Sequence, residues 1–392
     1  MKVITGEALN LTRKLVRIES TNPGVGEKNV EEFIKEYLSV PGIRITENEV
    51  FDGRRNLIAE ITSYQFDKEA PALVLICHMD TVVVGKDWTR DPFGADTEGE
   101  RIYGRGSCDM KSGLACALSI FKETARMCES GEFRLKRPLR LICTVDEEGD
   151  MNGVECVVRW NQVRKEDWVM DLEPTDGQIQ MSHKGRFWLE LSAHGITAHA
   201  SKPEQGADAI AAMAECISDM RNSFAQLPVH EELGRTTVTF GQIQGGYQPY
   251  VVPDECKLWV DFRLTPPTTD TKVLEITDRA IAYAQNAVPG VKFEYRITGN
   301  RPYIEKNDES GFLKELKKTV QEVTGEKPSV RPFPGYTDTA VIAGKLGNRN
   351  CLSYGPGNLK YAHKPDEFVE IADIERCEQV LRQLIVQLKE ET

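Results

Sequence analysis

Leu73-Val74-Leu75-Ile76-Cys77 is an unbroken apolar run of strand length that leads into His78-Met79-Asp80. A strand with one wet face alternates apolar and polar residues, so a run without alternation reads as a strand buried on both faces. A fold built on such a strand needs helices on both sides of a sheet. Helical periodicity at 5–19, 27–39 and 110–128 supplies them, between strand patterns at 43–50, 55–61, 138–145 and 167–172. The alternation predicts an α/β fold, a mixed sheet covered by helices. The character changes near residue 178. Alternating patterns at 179–193 and 236–243, with a third strand at 256–264, predict an antiparallel sheet with one exposed face, and helices at 204–224 and 271–287 intervene. The α/β style resumes after about 292, with helices at 309–323 and 371–389. A chain of 392 residues suits two domains. The expected division is a main domain from 1–181 and 294–392 and a smaller α+β domain inserted at 182–293.

Composition removes several classes of function. The formal net charge of −12 argues against a sequence-independent nucleic-acid binder and against an anionic membrane surface as partner. No segment approaches the roughly 20 apolar residues of a membrane span. The first twenty residues read as an amphipathic helix and not as a secretory signal. Ten scattered cysteines without a C-x-x-C pair predict buried thiols in a reducing cytoplasm.

The chemistry-bearing residues cluster at predicted strand ends. His78 and Asp80 are two apart in extended chain and share a face. A carboxylate beside an imidazole is a common support for a metal-bound histidine, although a strand-end histidine also serves to cap a loop. Asp109 stands where the loop Gly104-Arg105-Gly106-Ser107-Cys108 gives way to a helix; an N-cap is its plain alternative. The Gly-x-Gly there lacks the third glycine and the leading strand of a dinucleotide fingerprint. Asp146-Glu147-Glu148-Gly149 follows an apolar strand. It is either a solvated acidic loop or a place where like charges wait for a cation. Glu173-Pro174 repeats the theme, and His363 lies in Ala362-His363-Lys364-Pro365-Asp366-Glu367. Together these residues give the mixed imidazole and carboxylate set that a two-metal hydrolase uses.

In order and spacing, His78-Met79-Asp80, Gly106-Ser107-Cys108-Asp109-Met110-Lys111, Asp146-Glu147-Glu148-Gly149, Glu173-Pro174 and His363 resemble the dinuclear zinc aminoacylase and carboxypeptidase family, peptidase family M20. Its members include acetylornithine deacetylase, succinyl-diaminopimelate desuccinylase, glutamate carboxypeptidase and di- and tripeptidases. The resemblance covers nearly the whole chain. It implies a zinc-exopeptidase-like catalytic domain and an inserted lid and dimerisation domain. It also implies a cytoplasmic homodimer that hydrolyses the amide bond of small N-acyl-L-amino acids, or a peptidase on the same metals. By resemblance His78 and Glu173 bind one zinc, His363 and Glu148 the other, and Asp109 bridges them; cobalt or manganese accept the same ligands. Asp80 orients His78, and Glu147 is the general base. His199 matches the lid histidine that reaches the partner subunit's site. Arg263 matches the arginine that holds the substrate carboxylate, with a salt bridge to Asp261 as the alternative. Tyr250 stands where the family often has a substrate-binding asparagine. Thr337 resembles a polar loop near the substrate, or is a plain turn into a helix. His183, His194 and His230 read as structural or exposed, and Cys108 as a buried thiol.

Overall fold

Every residue of the strand Leu73–His78 is buried in the computed structural model, which describes residues 6–63 and 70–389. The strand sits inside an eight-stranded sheet. The order is Ile43–Phe51, Arg54–Ile61, Leu139–Thr144, Leu73–His78, Trp168–Pro174, Cys351–Gly355, Ile179–His183 and Val330–Phe333. Leu139–Thr144, Leu73–His78, Trp168–Pro174 and Cys351–Gly355 run parallel, and Ile43–Phe51 and Arg54–Ile61 close one side as an antiparallel pair. The helices Glu7–Val16, Lys111–Glu129, Gly311–Thr324 and Ile371–Gln387 contribute apolar residues to one core with these strands. All ten cysteines are buried thiols.

One close approach fixes how the longest of these helices meets the sheet. A Cβ on Gly113 would lie 2.1 Å from the carbonyl oxygen of Leu172, so only glycine lets Lys111–Glu129 settle onto Trp168–Pro174. Both elements adjoin the acidic cluster described below.

The chain divides into two units. One comprises Ser182–Glu305 with Pro334–Tyr336, and the remainder forms the other. The smaller unit carries a four-stranded antiparallel sheet in the order Thr237–Gly245, Glu255–Leu264, Gly185–His194, Lys292–Arg301. Helices Ala209–Ala225 and Asp270–Ala287 share its core with the inward-facing Phe187, Leu189, Leu258, Val260 and Phe262. This unit extends past the expected boundary at 293. Lys292–Arg301 pairs with Gly185–His194 from end to end, and Phe293 and Tyr295 pack onto the small core. Its alternation belongs to the antiparallel sheet. Ser182, expected inside a single strand at 179–193, lies instead near a break between Ile179–His183 and Gly185–His194. Among the described residues no helix is long and apolar enough to cross a membrane.

Candidate metal centre

The four parallel strands end at one edge of the sheet, which is where open α/β sheets bind ligands. His78 closes Leu73–His78, and Asp146, Glu147 and Glu148 follow Leu139–Thr144. Glu173 lies at the end of Trp168–Pro174. Two loops complete the set. Asp109 precedes the helix Lys111–Glu129, and His363 follows the short turn Leu359–Tyr361.

Asp109 lies between the histidines. Its Oδ1 is 3.1 Å from His78 Nε2 and its Oδ2 is 3.3 Å from His363 Nε2. Glu173 Oε1 is 3.6 Å from His78 Nε2, and Glu148 Oε1 is 3.1 Å from His363 Nε2. The five side chains form two imidazole–carboxylate pairs that share one carboxylate. Donor atoms of His78, Glu147 and Glu173 all fall within 4.8 Å of one another, as do those of His78, Asp109 and Glu148.

The charges in this cluster are out of balance. Burial alone would raise the Asp109 carboxyl, but the hydrogen bonds from His363 and His78 prevail and hold it below the usual carboxylate range. In return, the contacts with Asp109 and Glu148 push His363 up to about 10. His78 resists charging because it is buried, yet Asp109 and the other carboxylates raise it well above an ordinary histidine. Glu147 is pushed well up, first by burial and then by the charges of Glu148 and Asp338; Glu173 is pushed up by burial and by Asp109. Such a concentration of carboxyl groups fits cations as their natural counterpart. Two imidazoles and at least three carboxylates are a donor set suited to a pair of divalent ions.

The acidic turn after Leu139–Thr144 is tied down from several sides. Sequence reading makes Asp80 the residue that orients His78. In the structure His78 Nδ1 is 2.9 Å from the Asp80 carbonyl oxygen and 3.6 Å from its carboxylate. That carboxylate accepts the backbone N–H groups of Glu147 and Glu148, at 3.1 Å each, and the Asn22 side-chain amide at 2.9 Å. Asn22 also donates to Asp146. Asp146 adopts φ 67°, a costly conformation for a residue with a side chain. Its N–H bonds Glu27 at 3.0 Å, its carboxylate accepts two bonds from Asn152, and Arg54 grips Glu27 through a two-pronged contact. Asn22, Glu27 and Arg54 escape sequence reading because nothing local marks them; they matter only through tertiary contact.

Three other expected site residues lie in the smaller unit. His199 is exposed, with Nδ1 2.8 Å from Ser201 Oγ, and its backbone pairs with Val251. Tyr250 is exposed, and its carbonyl accepts the Ala200 N–H. Arg263 donates from Nε to Asp261 Oδ1 at 2.8 Å and leaves its side chain partly exposed. Thr337 lies in the larger unit. It is 1% exposed and caps the helix Asp338–Leu346, accepting the Ala340 N–H while its hydroxyl meets Thr339. His183 is buried, His194 faces Glu294, and His230 accepts two backbone N–H groups in a turn. Cys108 is buried, and burial raises its thiol well above its ordinary value.

The model of "Peptidase family M20/M25/M40" matches residues 74–387. An acetylornithine deacetylase of Yersinia pseudotuberculosis serotype O:1b (strain IP 31758) is 28% identical over 354 residues, covering 88% of this chain and 86% of that protein. A probable succinyl-diaminopimelate desuccinylase of Staphylococcus aureus (strain MRSA252) is 27% identical over 400 residues, with 93% of both chains covered. In fold, the crystal structure of aminopeptidase PepT from Bacillus cereus ATCC 10987 superposes with a TM-score of 0.78 at 20% identity, covering 97% of this chain and 98% of the other.

Proposed function

The chain belongs to peptidase family M20/M25/M40, a family of metal-dependent hydrolases of amide bonds, and from that premise we propose that it is a two-zinc deacylase of small N-acyl-L-amino acids. The observation that carries this reading is the placing of the two Asp109 oxygens, one against each histidine, with Glu173 and Glu148 on the outer sides. In this reading His78 and Glu173 hold one ion, His363 and Glu148 the other, and Asp109 both. Bound zinc would polarise the amide carbonyl and acidify water. Glu147 takes a proton from the attacking water on its carboxylate and passes it to the leaving nitrogen. Its carboxylate lies within 4.8 Å of donor atoms of His78 and Glu173, beside the residues that would hold the ion. Asp80 keeps Glu147 and Glu148 in place through their backbone amides.

Arg263, oriented by Asp261, is assigned the substrate's α-carboxylate, a planar anion that matches its guanidinium. Tyr250 takes the place beside it that is often asparagine in the family. The smaller unit is assigned to self-association, with His199 serving the partner's site. Support for this comes from the edge strand Thr237–Gly245, exposed along 241–245, and from exposed Ile210, Ile243 and Tyr247 near it. Deacylation is favoured over peptide cleavage by the names of the curated relatives.

The test is a panel of N-acetyl and N-succinyl amino acids, their α-amides, and dipeptides, with and without chelator. Free amine should appear from the N-acyl amino acids, with kcat/KM at least about tenfold lower for the α-amides. Chelation should abolish turnover, and zinc should restore it. Cleavage of dipeptides alone would make the protein a peptidase, and equal rates on acids and amides would remove Arg263 from substrate recognition.

A further inference from the structure

Asp80 has a counterpart on the other side of the centre. Glu367 is 1% exposed, and its Oε1 accepts the backbone N–H groups of Cys108 and Asp109 at 2.9 and 3.1 Å. Two buried carboxylates thus each grip two consecutive amides of a loop that carries metal-ligating side chains. Asp80 holds Glu147 and Glu148, and Glu367 holds Asp109. The second oxygen of Glu367 is paired with Arg105, itself 2% exposed. Arg105 also donates to the carbonyls of Val83 and Val84 at 3.2 Å and lies over the Trp88 ring. The Glu367 carbonyl accepts the Gly104 N–H at 2.8 Å. Beside it, Asp366 accepts the backbone and hydroxyl of Thr89 at 3.0 and 2.7 Å. Three segments converge here: the stretch after the His78 strand, the loop of Asp109, and the loop of His363.

The physical consequence is positional. A charged acceptor on two consecutive amides fixes the peptide plane, and that plane sets where the next side chain points. Asp109 has to place one oxygen toward each histidine, and a displacement of under about 1 Å would spoil one side. A buried carboxylate without a counter-charge would be costly, and Arg105 provides the counter-charge. The structure assigns Glu367, held by Arg105, as the positioning residue of the Asp109 half of the centre: it aims the shared carboxylate and ties its loop to that of His363. This inference rests on the two-metal reading of the centre.

The experiment titrates metal-free full-length wild type, Glu367→Asp and Glu367→Gln with Co²⁺, records the visible absorption bands, and measures kcat and KM separately. Glu367→Asp keeps the charge beside Arg105 but withdraws the carboxylate from the two amides. It should fold as the wild type does, bind Co²⁺ on the order of 10-fold more weakly, show altered bands, and lose kcat with KM within about twofold. Glu367→Gln should be weaker still in Co²⁺ binding; if that variant fails to fold, Glu367→Asp alone decides. Wild-type affinity and bands in Glu367→Asp would overturn the assignment, whatever its kcat. A wild-type protein that takes up no Co²⁺ would overturn the metal-centre reading itself, and this inference with it.

Discussion

Asp109 and Glu147 are carboxyl groups of one cluster driven in opposite directions. Asp109 is held low because the hydrogen bonds from His363 and His78 outweigh its burial, whereas Glu147 is pushed up first by burial and then by the charges of Glu148 and Asp338. In the two-metal reading Asp109 is the shared ligand and Glu147 the group that exchanges protons. In the turn after Leu139–Thr144, Glu148 Oε1 lies 3.1 Å from His363 Nε2, and a carboxylate oxygen of Glu147 lies within 4.8 Å of donor atoms of His78 and Glu173. Glu147→Gln keeps the shape and removes the proton acceptor. It should retain bound metal and lose about 10²–10⁴-fold in kcat, read by steady-state kinetics alongside metal analysis. A variant that lost metal in step with activity would make Glu147 a ligand.

At the scale of elements, the edge strand Thr237–Gly245 bears on the assignment of His199. Mixing inactive His199→Ala with inactive Glu147→Gln should restore activity, on the order of a quarter of wild type for random pairing in a two-fold dimer. No recovery, with subunit exchange demonstrated, would place His199 in its own subunit's site, and an active His199→Ala would place it outside the chemistry. The elements also show what the sequence makes legible. A run such as Leu73–Cys77 declares its two-sided burial by lacking polar residues, and strand-end His78 and Glu173 are visible as soon as the strands are. The Lys292–Arg301 strand carries the same kind of alternation as its neighbours, but its membership depends on pairing with Gly185–His194, about a hundred residues earlier. Glu367 is one of two adjacent acidic residues in a loop, and nothing local distinguishes it from Asp366. Thr337 is legible as the start of a helix, and its side chain accepts the Ala340 N–H as the N-cap of Asp338–Leu346.

For the molecule as a whole, protons and metal ions compete for the same imidazoles and carboxylates. His363 holds its proton up to about 10 only because Asp109 and Glu148 surround it. Because that value is raised above the ordinary 6.5, the contact supports the metal-free fold fully below 6.5 and ceases to do so as pH climbs through about 10. Metal has to displace such protons, so affinity should rise with pH by on the order of tenfold per unit for each proton released. The most direct test is calorimetric titration of metal-free protein with zinc at pH 6 and pH 8, on wild type, His78→Ala and His363→Ala. The wild type should take up two equivalents and bind more tightly at pH 8 with protons released, and each variant should lose one equivalent. A single equivalent in the wild type, or two equivalents retained by both variants, would contradict the two-metal reading.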